Sequence, residues 1–397
     1  MPTPFDFDHL PDLSTGDSIK WNRYAGRDVL PLWIADMDFA AAPAIVAALQ
    51  QRVARASFGY AEPWPGLVEA VQQHLQQRYD WAIEADWLVW LPGLVTGLHL
   101  ACRAVPGSVF SATPVYPPFL SAPLHCGNPL LTAALIRHDD PAQAHCGWGW
   151  DFTAVRQALR PDTRLFLLCH PHNPVGRAWS ETELQEIATI ATEHRLIVCS
   201  DEIHCDLLLD RDRRHRPYAT LSAETARHSI TLMAPSKAYN IAGLGCAYAI
   251  IPDRTLRRTF IAAMQGMVPH VNALGLVACE AAYRDGGNWH TAMLDTLRAN
   301  RDLLEQEILR LPGLHMTHVE ASYLAWIDAG AFARQAGIDI PQRHFERAGL
   351  GLSPGSDFAL PQADGNPSRA FVRLNFACPP STLQEALRRL QQAVVFY

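Results

Sequence analysis

Between about residues 86 and 251, short apolar runs alternate with segments of helical periodicity, and this alternation constrains the fold more than any other feature. About four to eight apolar residues between turn signals are typical of a strand that is buried on both faces. Runs of this kind occupy residues 87–91, 108–112, 164–169, 196–200, 229–234 and 247–251. Strands that alternate with helices predict an α/β fold with a mostly parallel sheet, covered by helices on both faces.

The predicted helices lie between and around these strands, where apolar residues recur every three or four positions. Ser180 and Glu183 have the spacing of a capping box and predict that one helix begins at Glu181. The turn 92–97, which contains two glycines, is expected to lead into another helix at Leu98. The helical segments are 44–56, 66–79, 153–159 and 181–194.

The pattern changes after about residue 285. The elements predicted there are helix 289–311, strand 323–328, helix 341–348, strand 371–376 and helix 382–394. We therefore expect a large domain over residues 48–285. A smaller α+β domain is expected to combine an N-terminal arm, 1–47, with residues 286–397.

The chain of 397 residues is 49% apolar and 18% charged, so it can bury large cores. Its net charge of −7 does not favour a polyanion, and we expect no nucleic-acid partner. It shows no apolar run of membrane-spanning length, no secretion signal, and neither CxxC pairs nor zinc-ligand spacing among its nine cysteines. The sequence thus predicts a soluble, cytoplasmic protein with reduced thiols, no membrane association and no metal site. The basic run 211–216 is interpreted as a solvated loop.

Lysine occurs only twice in this arginine-rich chain, at Lys20 and Lys237. An amine can lose its proton and attack a carbonyl, whereas a guanidinium stays protonated. Lys20 lies in a polar N-terminal arm and is interpreted as a surface cation. Lys237 follows the strand predicted at 229–234, which makes it the candidate nucleophile.

Polar residues follow several of the predicted strands closely. Tyr116, Asn173, Asp201 and Lys237 each come shortly after a strand, and the turn 92–97 follows the first strand. Ligands of open α/β sheets bind beyond the carboxyl ends of the strands. Small residues at a strand-to-helix turn also let backbone N–H groups approach an anion at the helix N-terminus. These groups are therefore expected to meet at one edge of the sheet.

This set of groups matches the needs of pyridoxal phosphate. A lysine can hold its aldehyde as a Schiff base, and a carboxylate can keep the pyridine nitrogen protonated. An amide can bond the ring phenolate, an aromatic side chain can stack on the ring, and a helix N-terminus can hold the phosphate. A nicotinamide site is disfavoured because no GxGxxG follows the first strand, and the chain lacks P-loop and GxSxG motifs.

Five stretches, in the same order along the chain, resemble the fold-type I pyridoxal-phosphate enzymes of the aminotransferase class I/II superfamily. They are LPLWIADMDF at 30–39, PHNPVGR at 171–177, SDEIH at 200–204, APSKAYNIAGL at 234–244 and FVRLNFA at 371–377. The DMDF and DEIH elements resemble the cystathionine β-lyase subgroup typified by the MalY and PatB proteins. The resemblance implies an aspartate aminotransferase-like fold and pyridoxal 5'-phosphate as cofactor. It also implies a carbon–sulfur β-lyase that converts cystathionine or related cysteine S-conjugates into a thiol, pyruvate and ammonia.

The resemblance further implies roles for individual residues. Lys237 would carry the cofactor as a Schiff base and act as the base, Asp201 would pair with the pyridinium nitrogen, and Tyr116 would stack on the ring. The other implied cofactor-binding residues are Val95, Thr96, Asn173, His204, Ser236 and, from the neighbouring subunit of a homodimer with shared active sites, Tyr60. The residues implied to bind an amino-acid substrate are Arg373, Ala35 and Asn173.

The sequence leaves several alternatives open. An aminotransferase shares the named residues and is separated from the lyase only by the subgroup motifs. A regulatory role through protein–protein contact could exist in addition to catalysis. Arg373 could form a structural ion pair, and Tyr116 could be a packed aromatic. The chain also departs from the family at His170, where asparagine is usual, and at Tyr239, where phenylalanine or tryptophan is usual.

Overall fold

The structure, a computed structural model, describes residues 5–11, 16–138, 147–362 and 365–395; Cys146 lies outside them. Its strands are β1 (Leu30–Pro31), β2 (Leu88–Leu91), β3 (Ser108–Thr113), β4 (Leu130–Ala134), β5 (Ile136–His138), β6 (Gly147–Gly149), β7 (Thr163–Cys169), β8 (Ile197–Asp201), β9 (Ser229–Met233), β10 (Ala247–Ile250), β11 (His315–Met316), β12 (Leu324–Asp328), β13 (Leu350–Gly351), β14 (Ser353–Pro354) and β15 (Phe371–Asn375). Its α-helices are α1 (Ile19–Asn22), α2 (Pro43–Ala54), α3 (Pro65–Tyr79), α4 (Leu94–Ala104), α5 (Pro117–His125), α6 (Phe152–Ala158), α7 (Glu181–His194), α8 (Ala223–Arg227), α9 (Arg254–Met264), α10 (Ala273–Asp285), α11 (Gly287–Ile308), α12 (Gly330–Ala336), α13 (Pro341–Arg347) and α14 (Pro380–Val395).

The main sheet has seven strands in the order β2-β10-β9-β8-β7-β3-β4. Five neighbouring strands, from β9 to β4, run parallel, and β10 is antiparallel to both of its neighbours. The predicted α/β fold with a mostly parallel sheet is confirmed, and all six predicted strands are present. The edge strand β4 was missed, because two of its five residues are alanine, which is depleted in strands.

The helix α7 begins at Glu181, as its capping box predicts. Glu183 N donates to Ser180 Oγ at 3.3 Å, and Ser180 N donates to Glu183 Oε2 at 2.8 Å. The predicted start of α4 at Leu98 is wrong, because the helix begins at Leu94 directly after its strand. Gly97 is inside this helix, where an added Cβ would lie 2.9 Å from Leu232 Cδ2 of the sheet. This glycine therefore permits close helix–sheet packing rather than marking a turn.

A second sheet, of four antiparallel strands, has the order β11-β12-β15-β14. The N-terminal arm is attached to this part of the chain, because β1 pairs in parallel with β13 and Asn375 N donates to Leu32 O at 2.9 Å. This attachment holds the residues that follow β1 beside β15. Within the described ranges, no helix combines the length and the apolar character needed to cross a membrane.

Candidate active site

Three of the predicted site residues follow adjacent parallel strands. Asn173 comes after β7, Asp201 ends β8, and Lys237 comes after β9. Because β7, β8 and β9 are neighbours that run in the same direction, these side chains are brought to one edge of the sheet. Arg373 reaches the same place from β15 of the other sheet, and its Nη1 donates to Asn173 Oδ1 at 3.0 Å. The site therefore lies where the two sheets meet.

Arg373 is a buried cation that contacts neutral acceptors. Its Nη2 donates to Trp33 O at 2.9 Å and to Ser353 Oγ at 3.3 Å, while the buried Nε has no partner among the described residues. Burial lowers the pKa of its guanidinium to about 10, so the group remains charged at neutral pH. In the part of the chain that the structure describes, Arg373 forms no ion pair, which argues against a structural salt bridge. A buried guanidinium in this state is suited to a carboxylate ligand.

Lys237 projects its amine towards the N-terminal arm. The Nζ atom donates to Ala35 O at 2.5 Å, and Tyr323 Oη donates to the same carbonyl at 3.2 Å. Burial lowers the pKa of the Lys237 amine, and the positive charge of Arg373 lowers it further. A depressed pKa increases the fraction of neutral amine, the form that acts as a nucleophile or a base.

Asp201 is buried, and burial raises the pKa of its carboxyl group to about 7. Its Oδ1 accepts a hydrogen bond from Ile203 N at 3.2 Å, while the nearby charge of Glu202 raises the pKa further and that of Lys237 lowers it. An acid in this environment is stabilised in its ionised form by any additional cation placed against it.

The remaining predicted residues surround this centre unevenly. Tyr116 is half-buried at the N-terminus of α5, and burial, with the nearby Asp201, raises the pKa of its hydroxyl. Val95 and Thr96 lie in the first turn of α4, where backbone N–H groups have no partner within the helix. Ser236 is half-buried beside Lys237.

His204 and Tyr60 have opposite exposures. His204 is buried, its Nδ1 has no partner among the described residues, and burial lowers the pKa of the ring to about 3, so the imidazole is neutral. Its ring lies edge-on to that of Tyr323, with centroids 6.2 Å apart. The side chain of Tyr60 is fully exposed, and no hydrogen bond links it to the other site residues in the described chain.

Several residues that organise the site are not predicted from the sequence. Asn375 Nδ2 donates to Ile34 O and Asp36 O, both at 2.7 Å, and Asn240 Nδ2 donates to Phe39 O at 2.7 Å. Both asparagines lie inside the quoted motifs, at 371–377 and 234–244. The motifs therefore contained these residues but did not reveal that their side chains bind the backbone of the N-terminal arm. Tyr323, which shares the carbonyl of Ala35 with Lys237, gave no such signal.

The interpretation of Lys20 as a surface cation is wrong. Its side chain is buried and forms an ion pair with Asp38, with Nζ 2.8 Å from Oδ2. The ammonium also donates to Asp36 O at 3.0 Å. The DMDF element therefore contains the buried partner of this lysine, which is 18 residues away along the chain and invisible to local patterns.

The interpretation of 211–216 as a solvated loop is wrong at one position. Its arginines are exposed or half-buried, but His215 is buried, with Nε2 2.6 Å from Glu202 Oε2. The ring of His170, one of the departures from the family pattern, stacks on His215 at a centroid distance of 4.4 Å. Burial lowers the pKa of both histidines to about 3, so this pair is a neutral packed layer behind the site.

The arrangement matches known proteins over nearly its whole length. The family model for aminotransferase class I and II matches residues 27–390. The chain belongs to the aminotransferase class I and II family. The match spans both sheets and every one of the five sequence stretches, so the resemblance drawn from them is confirmed.

Individual members of this family are similar to the chain end to end. Cystathionine beta-lyase PatB of Bacillus subtilis is 36% identical over 399 residues, which cover 98% of this chain and all of that protein. The crystal structure of OvoB is 46% identical, with a TM-score of 0.91, and covers 98% of this chain and 99% of its own. The PLP-bound C–S lyase from Staphylococcus hominis is 28% identical, with a TM-score of 0.90 and coverage of 98% and 99%.

Proposed function

We propose that this chain is a pyridoxal-phosphate-dependent carbon–sulfur β-lyase that acts on cystathionine or related cysteine S-conjugates. The products are a thiol, pyruvate and ammonia. The observation that carries the proposal is that the Lys237 amine, Asp201 and Arg373 meet at one edge of the main sheet. Arg373 is a buried cation without an ion pair among the described residues, so it can bind an anion. Full-length similarity to proteins named cystathionine β-lyase and C–S lyase supports the choice of reaction.

The described residues fit pyridoxal 5'-phosphate. Lys237 provides the amine for its aldehyde, Asp201 the carboxylate for its ring nitrogen, and Tyr116 an aromatic ring for its face. The N–H groups of the first turn of α4, with Val95 and Thr96, provide an anion site for its phosphate. The carboxyl of Asp201 has a raised pKa, and a pyridinium cation supplies the positive charge that would stabilise its ionised form.

The amino-acid substrate is bound through its carboxylate by Arg373. The planar guanidinium offers a fork of N–H donors, and Asn173 holds that fork in place through Nη1. Ala35 and Asn173 border the same space, since the carbonyl of Ala35 contacts the amine of Lys237. The substrate α-carbon is thereby oriented towards the catalytic amine.

Lys237 would be the base that removes the α-proton of the bound substrate. Its pKa is lowered by burial and by Arg373, which increases the fraction of neutral amine that can accept a proton. When bound, pyridoxal phosphate supplies an electron sink that stabilises negative charge at the substrate α-carbon. The C–S bond at Cβ would then break, and the sulfur would leave as a thiolate that takes up a proton. Hydrolysis of the remaining three-carbon amino acid fragment by water would give pyruvate and ammonia.

The protein acts as a homodimer in which each active site receives Tyr60 from the partner subunit. Tyr60 is fully exposed, and the neighbouring Phe58 is 64% exposed, so this segment presents two aromatic rings to solvent. Exposed aromatic side chains are enriched at protein interfaces. We also propose that the protein is cytoplasmic, a location that the eight free cysteines in the described part of the chain support.

The cofactor link is tested by borohydride reduction of the purified holoenzyme followed by peptide mapping. With two lysines in the chain, the label is expected on Lys237 and absent from Lys20 and from the Lys237→Ala variant. A label on Lys20, or none at all, contradicts the assignment.

The reaction is tested by comparing substrates. Cystathionine and cysteine are expected to release a thiol and pyruvate faster than alanine and a keto acid exchange amino groups. The thiol, with a pKa of about 8.5, is a good leaving group, and alanine has none on Cβ. If alanine–keto acid exchange outpaces thiol release from every sulfur amino acid, the enzyme is an aminotransferase.

The shared site is tested by mixing two inactive variants, Tyr60→Ala and Lys237→Ala. If Tyr60 serves the partner's site, each mixed dimer contains one intact site. Random exchange of subunits then restores about a quarter of the wild-type activity. If Tyr60 serves its own subunit, mixing restores nothing.

A further inference from the structure

A short segment, residues 33–38, provides carbonyl groups to both halves of the proposed site. Trp33 O accepts from Arg373 Nη2 at 2.9 Å, and Ala35 O accepts from Lys237 Nζ at 2.5 Å. The Lys237 amine and the Arg373 guanidinium thus both donate hydrogen bonds to the same backbone segment. The position of this segment therefore affects both the proposed base and the proposed carboxylate-binding group. A displacement of the 33–38 segment would misalign both groups together.

Lys20 holds this segment at three points. Its Nζ donates to Asp36 O at 3.0 Å and to Asp38 Oδ2 at 2.8 Å, and its backbone oxygen accepts from Trp33 Nε1 at 3.1 Å. The contacts at Trp33 and Asp36 flank Ala35 on either side. Lys20 therefore contacts residues on both sides of Ala35, whose carbonyl accepts from the Lys237 amine. In the described structure, Lys20 does not itself contact Lys237.

The Lys20–Asp38 pair is enclosed, with side chains only 1% exposed. Trp21 Nε1 donates to the second carboxylate oxygen of Asp38 at 3.1 Å, so both oxygens are satisfied. An ammonium is compact and lies at the end of a flexible stem, so it can direct separate N–H groups at a carbonyl and a carboxylate in a small enclosed space, whereas a guanidinium is larger and its N–H groups are fixed in one plane. This requirement gives a reason for a second lysine in a chain that otherwise uses arginine.

We propose that Lys20 is a positioning residue: its ammonium fixes the 33–38 segment so that Ala35 O holds the Lys237 amine, and Trp33 O the Arg373 guanidinium, in their working positions. The proposal rests on the proposed function, because it gives that site its alignment. A buried ion pair alone is weak evidence for stability, so alignment and stability have to be measured separately.

The test uses two variants of the holoenzyme, Lys20→Met and the double variant Lys20→Met/Asp38→Asn. The single variant leaves a buried carboxylate without its cation and is expected to lower both the unfolding midpoint and kcat. The double variant removes both charges and is expected to recover most of the midpoint. Its kcat is expected to stay about 10²-fold below wild type, the size of effect that a misplacement of about 1 Å produces, because Asp36 O loses the Lys20 donor and keeps only Asn375 Nδ2.

The second readout is the pH midpoint of the visible absorbance band of the Lys237-linked cofactor, which reports on the surroundings of that nitrogen without turnover. We expect the midpoint to shift in both Lys20 variants. It should stay unchanged in Asp253→Ala, which destabilises the fold by removing the cap of α9, where Leu256 N donates to Asp253 Oδ1 at 2.7 Å. The proposal is overturned if the double variant has a wild-type kcat and a wild-type pH midpoint of the visible band.

A third variant, Lys20→Arg, keeps a cation beside Asp38 and so covers the case in which neither methionine variant folds. It is expected to retain the fold with a shifted spectral midpoint and lower kcat; wild-type values overturn the proposal. Failure of the proposed function is distinguished in the wild-type protein, where it appears as no label on Lys237 or no thiol release. The inference about Lys20 fails only against an active wild type.

Discussion

Two buried aspartates, five residues apart in the chain, behave as opposites. Asp201 and Asp206 are 4% and 5% exposed, yet burial raises the pKa of Asp201 to about 7, whereas that of Asp206 lies well below its usual range. The difference lies in their partners rather than their depth. Asp201 accepts a hydrogen bond from one backbone N–H, that of Ile203.

Asp206 is surrounded by donors from another part of the chain. Tyr79 Oη donates to its Oδ1 at 2.5 Å, His74 Nε2 lies 3.0 Å from its Oδ2, and Arg78 Nε lies 3.6 Å from its Oδ1. Burial acts to raise its pKa, and the charge and hydrogen bond of His74, together with the charges of His290 and Arg78, outweigh burial. The protein thus places hydrogen-bond donors and positive charge around the Asp206 carboxylate. The Asp201 carboxylate has one backbone donor and can bind a further cation. The contrast supports the proposal that Asp201 serves the reaction, whereas Asp206 stabilises the fold.

The largest effect on stability is expected from Asp206→Asn. The amide cannot accept from all of the donors that now converge on the carboxylate, and it leaves Arg78 and His74 without their anion. Removing one partner from a buried charged cluster costs about 3–5 kcal/mol. Urea unfolding of the holoenzyme measures this loss, while kcat per folded site is expected to change little. If stability is unchanged and kcat falls instead, the two aspartates have been assigned the wrong way round.

The same exchange at the other position, Asp201→Asn, is expected to act on the reaction. Loss of one preorganised electrostatic group in an active site costs about 10²–10³-fold in kcat, because an amide cannot stabilise a protonated pyridine nitrogen. In cofactor-free protein, the unfolding free energy should not fall, since a buried carboxyl with a raised pKa destabilises the fold when it ionises. Steady-state kinetics of the holoenzymes and urea unfolding of the cofactor-free proteins, for both asparagine variants side by side, make each variant the control for the other. Equal losses of stability in the two variants would erase the distinction.

A smaller effect sharpens the account of Asp206. Tyr79→Phe removes one hydrogen bond to a charged group and is expected to destabilise the protein by about 1.5–3 kcal/mol. The matched control is Tyr248→Phe, which removes a neutral hydrogen bond of 2.8 Å to the hydroxyl of Tyr283. That change is expected to cost only about 0.5–1.5 kcal/mol. A larger loss at Tyr248 than at Tyr79 would show that the charge of Asp206 contributes little.

The two aspartates also predict opposite pH dependences in cofactor-free protein. Asp201 has a folded pKa of about 7, above its ordinary value of 3.8, so between these values the folded state holds the extra proton and stability falls as pH rises. Asp206 has a depressed folded pKa, so its contribution is present above about pH 4 and is lost as pH falls through the folded value. Each slope is at most about 1.4 kcal/mol per pH unit.

The measurement is the unfolding free energy of wild type and both asparagine variants from pH 3 to pH 8. Asp201→Asn should flatten the decline between about pH 4 and pH 7, and Asp206→Asn the rise at acidic pH. Glu202, whose pKa burial also raises to about 7, contributes to the same decline, and its repulsion of Asp201 is lost in Asp201→Asn, so the flattening in that variant includes this interaction. A decline that survives unchanged in Asp201→Asn contradicts the raised pKa of this residue.

Local sequence patterns predicted most of the architecture. The strand β8 and the helix α7 could be located because apolar runs and a capping box act within a few residues. Asn173, Asp201 and Lys237 could be singled out because parallel neighbours must end at one edge of a sheet. The start of α4 was misplaced, since a glycine that permits close packing looks, in sequence, like one that ends a turn.

What the sequence determined by itself is therefore the order of strands and helices, the family, and the short set of residues that follow strand ends. Only the tertiary structure decided that Lys20 is buried against Asp38 and that Asp206 is held ionised by Tyr79 and His74. The physical reason is that burial, charge and pKa depend on whatever lies within a few ångströms. For these residues the neighbours come from 18 to 132 positions away along the chain.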